Sequence, residues 1–298
     1  MNFKNLISRI LDKMTNKNKN LKDFHIIKLQ LAKIMINIQK NIKSKNINDY
    51  EFKVFSQFGE DGIINFLIDK LNIKNNFFIE FGVEDYEEAN TRLLLENKNW
   101  SGLIFDSSEK NIKIIKKKDY YWKYNLVAQK SFITKKNINS LIKSHVGNKK
   151  VGLLSIDIDG NDYWIWKTIN CIQPDIVIIE YNARLGYKNS LSIPYKEDFE
   201  RKKENHSMIY FGCSLEALRR LGVEKGYSLV GTNKNGNNAF FVRKEIIKKS
   251  KNTLKSLNSK DSFNINTFNE LRNKKGNLLE RSSSKEKEII NNSKFVKV

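Results

Sequence analysis

Four carboxylates, Glu80, Asp106, Asp157 and Glu180, each close a short apolar run: Phe77-Phe-Ile-Glu80, Gly102-Leu-Ile-Phe-Asp106, Val151-Gly-Leu-Leu-Ser-Ile-Asp157 and Asp175-Ile-Val-Ile-Ile-Glu180. Chance can place one carboxylate at such a run's end; four in succession point to a common site. There a carboxylate can accept both hydroxyls of a vicinal diol, hold a cation, or take a proton from an alcohol. Asp106 follows Glu80 by 26 residues, close to the spacing at which an acidic residue meets ribose hydroxyls in nucleoside-binding α/β folds. The competing use of Asp106 is to cap a helix starting near residues 107–109.

Gly82 follows Glu80 almost at once, and Glu84, Asp85, Glu87 and Glu88 crowd the turn behind it. A phosphate cradle needs several glycines and bare backbone N–H groups. This turn has one glycine and a ring of negative charge, which repels a pyrophosphate and suits a ligand with a cationic centre and hydroxyls. S-adenosylmethionine, with its sulfonium, amino group and ribose diol, fits better than NAD or ATP. Glu80, Gly82, Glu84 and Asp106 are therefore the candidate cofactor residues; an ordinary sheet turn with a solvated acidic tip is the plain alternative.

A second cluster, Ser155-Ile-Asp157-Ile-Asp159-Gly-Asn161-Asp162, offers two carboxylates two residues apart. Asp157 and Asp159 can ligate a hard divalent cation through oxygens or serve, with Glu180, as base toward a substrate hydroxyl. Capping and turn chemistry before a helix at residues 163–169 accounts for Asp162, less readily for Asp157. Beyond Glu180, Asn182 and Arg184 bring an amide and a guanidinium into one loop. Arg184 either holds an acidic substrate group or pairs with a surface carboxylate. His206 is a candidate acid or base near that loop, or a solvent-exposed histidine with no role. Asn182, Arg184 and His206 stand as candidate substrate residues; Trp164 and Trp166 read as packing residues.

The elements that must position these residues alternate as a parallel sheet requires. Strands are expected at 77–81, 102–106, 121–127, 151–157 and 175–180, each apolar enough to be buried on both faces. Helices are expected at 89–97, 136–144 and 163–169. A helix follows over 214–225, with Ser214 as N-cap and Gly226 beyond its end. Residues 227–230 and 238–242 then flank an Asn235-Gly236 turn as an antiparallel hairpin. The expected fold is α/β: a Rossmann-like, doubly wound, mostly parallel sheet with a C-terminal antiparallel hairpin, plus a helical N-terminal extension. In such sheets the ligand crevice lies at the carboxyl ends of the strands, where the four carboxylates fall.

Of the net charge of +21, residues 1–53 supply 12 Lys/Arg against 4 Asp/Glu and residues 242–298 supply 15 against 6, leaving +4 for residues 54–241. The near-neutral middle argues against a nucleic-acid partner, since the flanks carry no aromatic–basic interleaving. The expected division is a basic helical extension at 1–53, the sheet domain at 54–243, and a polar, basic, partly disordered extension at 244–298, with a loose tail around residues 281–288. Two cysteines without a CxxC pair exclude a disulfide scaffold and a thiolate metal site and fit a reducing cytoplasm. Residues 1–22 are broken by charges and do not read as a secretory leader, and no run of 18 apolar residues spans a membrane. Residues 21–43 carry Leu21, Phe24, Ile27, Leu31, Met35, Ile38 and Ile42 at helical spacing with lysines between. That helix would pack on the core, join a second copy of the chain as a homo-oligomer, or lie on an anionic membrane surface as a peripheral contact.

Several segments together resemble the FkbM-like branch of class I S-adenosylmethionine-dependent methyltransferases. They are Ser56-Gln-Phe-Gly59-Glu-Asp-Gly62, Phe78-Ile-Glu-Phe-Gly82, Glu88-Ala-Asn90-Thr91, Trp100-Ser-Gly-Leu-Ile-Phe-Asp106, Leu154-Ser-Ile-Asp157-Ile-Asp159-Gly-Asn-Asp162, Ile179-Glu180-Tyr-Asn182 and Gly231-Thr-Asn-Lys-Asn-Gly236-Asn-Asn-Ala-Phe-Phe241. The resemblance covers residues 54–243 and neither flank. It implies that Glu80 and Gly82 form the cofactor turn, that Asp106 is the ribose acid, and that Asp157 to Gly160 lie near the reacting centre. It also implies O-methylation of a sugar or other small hydroxylated metabolite, often in surface-polysaccharide pathways. The chain departs from the family where Glu84 and Tyr86 stand in place of further glycines, which would reshape the pocket. Two other functions fit the residues: a metal-dependent nucleotide-sugar glycosyltransferase using Asp157-Ile-Asp159, and a non-catalytic binding module on the same fold.

Overall fold

A computed structural model describes residues 23–250 and 254–298; the basic lead-in at 1–22, with Leu21, lies outside the described residues. The chain divides into two compact units, Met1–Lys43 and Ser44–Val298. The described part of the first is a helix, α1, over residues 23–39. Among the described residues no helix is long and apolar enough to cross a membrane.

In the second unit the chain runs α2 (Glu60–Lys70), β1 (Phe77–Phe81), α3 (Arg92–Lys98), β2 (Ser101–Asp106), α4 (Glu109–Lys116), α5 (Asp119–Lys123), β3 (Leu126–Lys130), α6 (Ile138–Val146) and β4 (Leu153–Ile156). It continues through α7 (Asp162–Thr168), β5 (Ile176–Glu180), β6 (Leu191–Ser192), α8 (Arg201–Glu204), α9 (Leu215–Glu224), β7 (Tyr227–Thr232) and β8 (Asn238–Arg243). The last elements are α10 (Lys244–Lys249), α11 (Ser259–Ser262), α12 (Ser283–Asn292) and β9 (Val296–Lys297).

Seven strands form one sheet in the order β3-β2-β1-β4-β5-β8-β7. The first five are parallel; β8 runs antiparallel to β5 and pairs with β7 as the hairpin. This is the Rossmann-like architecture expected, with the hairpin closing one edge. Every residue of β1, β4 and β5 is buried, because helices cover both faces and unbroken apolar runs are what such strands need. Ser214 caps α9 by accepting from the Ala217 N–H, and Gly226 beyond it takes φ +85°. Trp166 lies in the core against Phe241, with ring centroids 4.9 Å apart.

The sequence misplaces three regions. Residues 121–127 are not a strand: α5 occupies 119–123 and β3 begins at Leu126. The aromatic run reads as β-formers, but packing decides. Tyr120 turns inward, its ring edge-on to Tyr86 at 5.7 Å and under the Arg92 guanidinium at 4.7 Å. Residues 44–53 belong with the sheet unit rather than the N-terminal extension: Tyr50 stacks on Phe66 at 3.6 Å, and the Asn48 amide donates to the Thr232 carbonyl at 2.7 Å.

The third correction is the largest. Residues 254–298 are part of the sheet unit, not a loose extension. β9 pairs with β6, residues 283–292 form α12 with Ser282 as its cap, and Leu254 and Leu271 are buried. The Tyr181 hydroxyl donates to the Asn264 carbonyl at 2.8 Å. Ion pairs and side-chain-to-backbone bonds hold this segment, and hydrophobic periodicity does not register such contacts.

Candidate active site

The exit of β1 sets the geometry. Gly82 takes φ +73°, and a Cβ there would lie 1.6 Å from the Asp157 carbonyl oxygen. Only glycine lets the ends of β1 and β4 meet this closely. Its N–H donates to the Phe105 carbonyl at 2.9 Å, tying the turn to β2 as well. Beyond it, Glu84 (φ +48°) and Tyr86 (φ +63°) also take left-handed backbone. The turn thus keeps a glycine-like path without glycines, at roughly 1–2 kcal/mol for each residue. Three interactions hold it there. The Glu84 N–H donates to Asp106 Oδ2 at 2.9 Å, the Tyr86 N–H to the Val83 carbonyl at 2.8 Å, and the buried Tyr86 hydroxyl bonds Thr91 Oγ1 at 2.8 Å.

Asp106 ends β2 and joins two turns. Besides the Glu84 N–H, its carboxylate accepts from the Ser108 N–H at 2.8 Å and the Asn111 amide at 3.0 Å. The cap of α4 is Ser108, so Asp106 is not needed for that duty. A carboxylate offers about four acceptor positions, and three are used here. Asp106 borders a cavity of about 250 Å³ walled also by Gly82, Glu84, Phe105, Phe132 and Asp157.

A second cavity of about 180 Å³ shares Gly82, Glu84, Asp157 and Asp159 with the first. Glu80, Asn90, Glu180, Arg201, Asn238 and Glu270 line it. Glu80 accepts from the Asn90 N–H at 2.9 Å, the Thr91 N–H at 3.2 Å and the Thr91 hydroxyl at 2.5 Å, so it anchors the entry to α3. Burial raises its carboxyl, and the Thr91 and Asn90 donors oppose that rise.

Oxygens of Asp157, Asp162 and Glu180 lie within 4.8 Å of one another, the one such group among the described residues that could hold a metal ion. Asp162 accepts from the Ile158 and Gly160 N–H groups, both at 2.9 Å, and so shapes the loop after β4. Burial pushes its carboxyl up to about 6. Asp157 is raised well above the usual range by burial and then by the Asp159 and Asp162 charges. Glu180 is raised likewise by burial and then by Asp157, and its Oε2 has no hydrogen-bond partner. Like charges this close oppose one another's ionisation, so the Asp157–Glu180 pair holds a proton more tightly than separate carboxyls would.

Asp159, at φ +58°, lines both cavities with Asp157. Its Oδ1 accepts from Arg201 Nη1 at 2.8 Å, and it is not a member of the three-carboxylate group. Arg201 also donates to Glu270 at 2.6 Å and to the Met208 carbonyl at 2.6 Å, and it lies 3.6 Å over the Phe211 ring. Glu270 in turn accepts from Arg184 at 2.8 Å.

The expected substrate residues are not brought to either cavity. Asn182 is fully buried, its amide donating to the Ile209 and Phe211 carbonyls at 2.9 and 3.1 Å and its oxygen accepting from the Arg184 N–H. Arg184 pairs with Glu270 and Glu286. His206 is exposed in a turn. The residues that do line the second cavity and were missed include Arg201, Asn238, Phe268 and Glu270. Arg201 and Glu270 sit in Lys/Glu-rich stretches indistinguishable from solvated surface. Asn238 opens the strand after the hairpin turn, which the sequence shows, but its pairing in register with Glu180 comes only from the sheet.

Fold and site together define a Rossmann-like α/β protein with an acidic crevice at the carboxyl ends of its parallel strands. No protein-family model and no curated protein matches the chain. Among solved structures it is similar to the N-terminal domain of EvdMO1 with SAH bound, at 11% identity over 63% of this chain and 80% of that one, TM-score 0.42. It is also similar to an O-methyltransferase from Bacillus cereus in complex with SAH (12% identity, 72% and 88% covered, TM-score 0.41). A third is an S-adenosylmethionine-dependent methyltransferase from Clostridium acetobutylicum (13% identity, 72% and 98% covered, TM-score 0.39).

Proposed function

We propose that this chain is an S-adenosylmethionine-dependent methyltransferase of the FkbM-like kind, acting on a hydroxyl of a sugar or another small hydroxylated metabolite in the cytoplasm. The observation that carries the reading is the pair of cavities meeting at Gly82 and Asp157, one beside Asp106 and the other beside Glu180. The first suits the nucleoside. Asp106 keeps one acceptor position for a ribose hydroxyl, and Glu84, Asp157 and Asp159 favour a sulfonium and disfavour a phosphate. The second suits the acceptor. The bound cofactor would supply an electrophilic methyl group with a thioether leaving group. The chain's part is to align the acceptor oxygen through the shared wall and to receive its proton on the ionised member of the Asp157–Glu180 pair. The glycine-like path of Glu84 and Tyr86 supports a working turn despite the missing glycines. Cys171 and Cys213 are unpaired, which suits a reducing compartment.

Isothermal titration with S-adenosylmethionine and with S-adenosylhomocysteine tests this directly. Wild type should bind both, and Asp106→Ala should weaken binding at least tenfold, as loss of a charge-assisted bond implies. No heat of binding at millimolar ligand, with no cofactor retained on purification by mass spectrometry, sinks the proposal.

One observation favours a second reading. The unpartnered Glu180 Oε2 beside Asp157 and Asp162 is chemistry a hard divalent cation would satisfy. That cation would serve an alcohol acceptor or a nucleotide sugar. The glycosyltransferase version requires manganese-dependent binding of a nucleotide sugar, and its absence removes that version. A purely binding role for the fold would be favoured if biological function survived Asp157→Asn and Asp106→Ala together.

A further inference from the structure

The second cavity contains two buried oxygens that meet no donor among the described residues. Glu180 Oε2 and Asn238 Oδ1 both lack a hydrogen-bond partner. Their residues, 6% and 3% exposed, both line that cavity. Glu180 stands opposite Asn238 in the antiparallel β5–β8 pair, so the two side chains leave the same face of the sheet as neighbours. Asn238 Nδ2 donates to Glu60 Oε1 at 3.0 Å, which fixes the amide's orientation and leaves Oδ1 as its free end. Buried acceptors without donors destabilise the chain that carries them, and a ligand with donors relieves both. Charge says what those donors belong to. Of the fourteen residues lining the cavity, seven are carboxylates and one, Arg201, is a cation. The Arg201 guanidinium is already engaged by Asp159, Glu270 and the Met208 carbonyl, so no free cation remains among the lining residues for an anionic ligand.

We propose that the second cavity holds the methyl acceptor by an ammonium group, so that the substrate is an amino sugar or amino alcohol and its hydroxyl faces the cofactor; this deepens the methyltransferase reading and rests on it. An ammonium has three N–H donors, which match Glu180 Oε2, Asn238 Oδ1 and a carboxylate oxygen of Asp157. Oxygens of Asp157 and Glu180 lie within 4.8 Å of one another, a gap that one nitrogen bridges with two bonds of about 2.9 Å. A hard divalent cation asks for about six to eight oxygens. Asp162, the third carboxylate of that group, lines neither cavity, and both its oxygens accept from backbone, at Ile158 and Gly160. The ammonium is therefore the better match. Its nitrogen has no lone pair to offer, which leaves the hydroxyl as the group that reacts.

The test is saturation-transfer NMR on the full chain with S-adenosylhomocysteine present, using two matched sets: glucosamine with glucose and its phosphate ester, and serinol with glycerol and its phosphate ester. In at least one set the amine should bind at least tenfold more tightly than the neutral compound, as charge-assisted bonds imply, and the phosphate ester should not displace it. Glu180→Gln and Asp157→Asn, each close to wild type in shape, should bring amine and neutral compound within about threefold of each other. Glu180 lies outside the cofactor cavity, so Glu180→Gln should keep its affinity for S-adenosylhomocysteine within about twofold, which also shows that the variant folds. The proposal is overturned if neither amine binds, if neutral compounds or phosphate esters bind as well as the amines, or if Glu180→Gln keeps the full preference, the outcome expected where Glu180 only shares its own proton with Asn238. Manganese that binds and displaces the amine overturns it in favour of a metal site. Any of these results with S-adenosylhomocysteine still bound removes the amine alone, whereas wild type that does not bind S-adenosylhomocysteine removes the methyltransferase reading and this proposal with it.

Discussion

Glu84 offers a test in which the sign of the answer matters more than its size. The residue is exposed and sits at φ +48°, so replacing it removes little packing and leaves the backbone strain as the main variable. Alanine there keeps the left-handed penalty of about 1–2 kcal/mol. It recovers about 0.4–1 kcal/mol through the smaller entropy of its unfolded chain relative to glycine. Glu84→Gly should therefore be more stable than Glu84→Ala by about 0.5–1 kcal/mol, or about 1–4 °C in melting temperature for a unit of this size. At an ordinary helix or strand position the order reverses, with alanine ahead by about 0.5–1 kcal/mol. Urea denaturation of the two variants, with slopes compared, reads the difference. Both lack the same carboxylate, so electrostatics cancel between them. If the alanine variant equals or exceeds the glycine variant, the turn does not follow the path described, and the case for a preserved cofactor loop goes with it.

Three further outcomes are expected. Gly82→Ala should cost about 3 kcal/mol or more, from left-handed strain plus displacement of the Asp157 carbonyl, and should eliminate cofactor binding; a titration indistinguishable from wild type refutes the close approach. Glu270→Ala should lose about 3 kcal/mol in urea, because it strips a partner from both Arg201 and Arg184, and a loss under 1 kcal/mol would show the pairs to be solvent-screened. The third concerns pH. Asp162 is pushed up to about 6 from about 4 in an unfolded chain, and Asp157 and Glu180 are raised too. Folding thus takes up protons, and stability present below about pH 4 is lost as pH rises through 6 and beyond. Glu180→Gln should flatten that decline; an unchanged slope in denaturation against pH would contradict the mutual raising of these carboxyls.

Four of the five parallel strands, β1, β2, β4 and β5, were legible because each is a continuous apolar run, and the places where Glu80, Asp106, Asp157 and Glu180 stop those runs lie on the sheet's carboxyl edge. β3 was not legible, because Tyr120, Tyr121 and Trp122 have strand propensity but take helical backbone to seat Tyr120 on Tyr86 and Arg92. Glu80 and Asp106 could be located from sequence, but not their backbone bonds to the α3 entry and to the Glu84 turn, which depend on loop conformation. Nor was the far wall of the second cavity. Arg201 and Glu270 are 69 residues apart, and each is locally one charge among many.

The chain of ion pairs from Asp159 through Arg201 and Glu270 to Arg184 and Glu286 also dictates when the crevice matures. During synthesis the sheet can assemble once β8 has left the ribosome, but Glu270 and Glu286 emerge only afterwards. A nascent chain halted after the hairpin would hold its strands in register with Arg184 and Arg201 lacking those carboxylate partners. The part of the second cavity's wall that Glu270 supplies is therefore completed late in translation, after the scaffold that carries it.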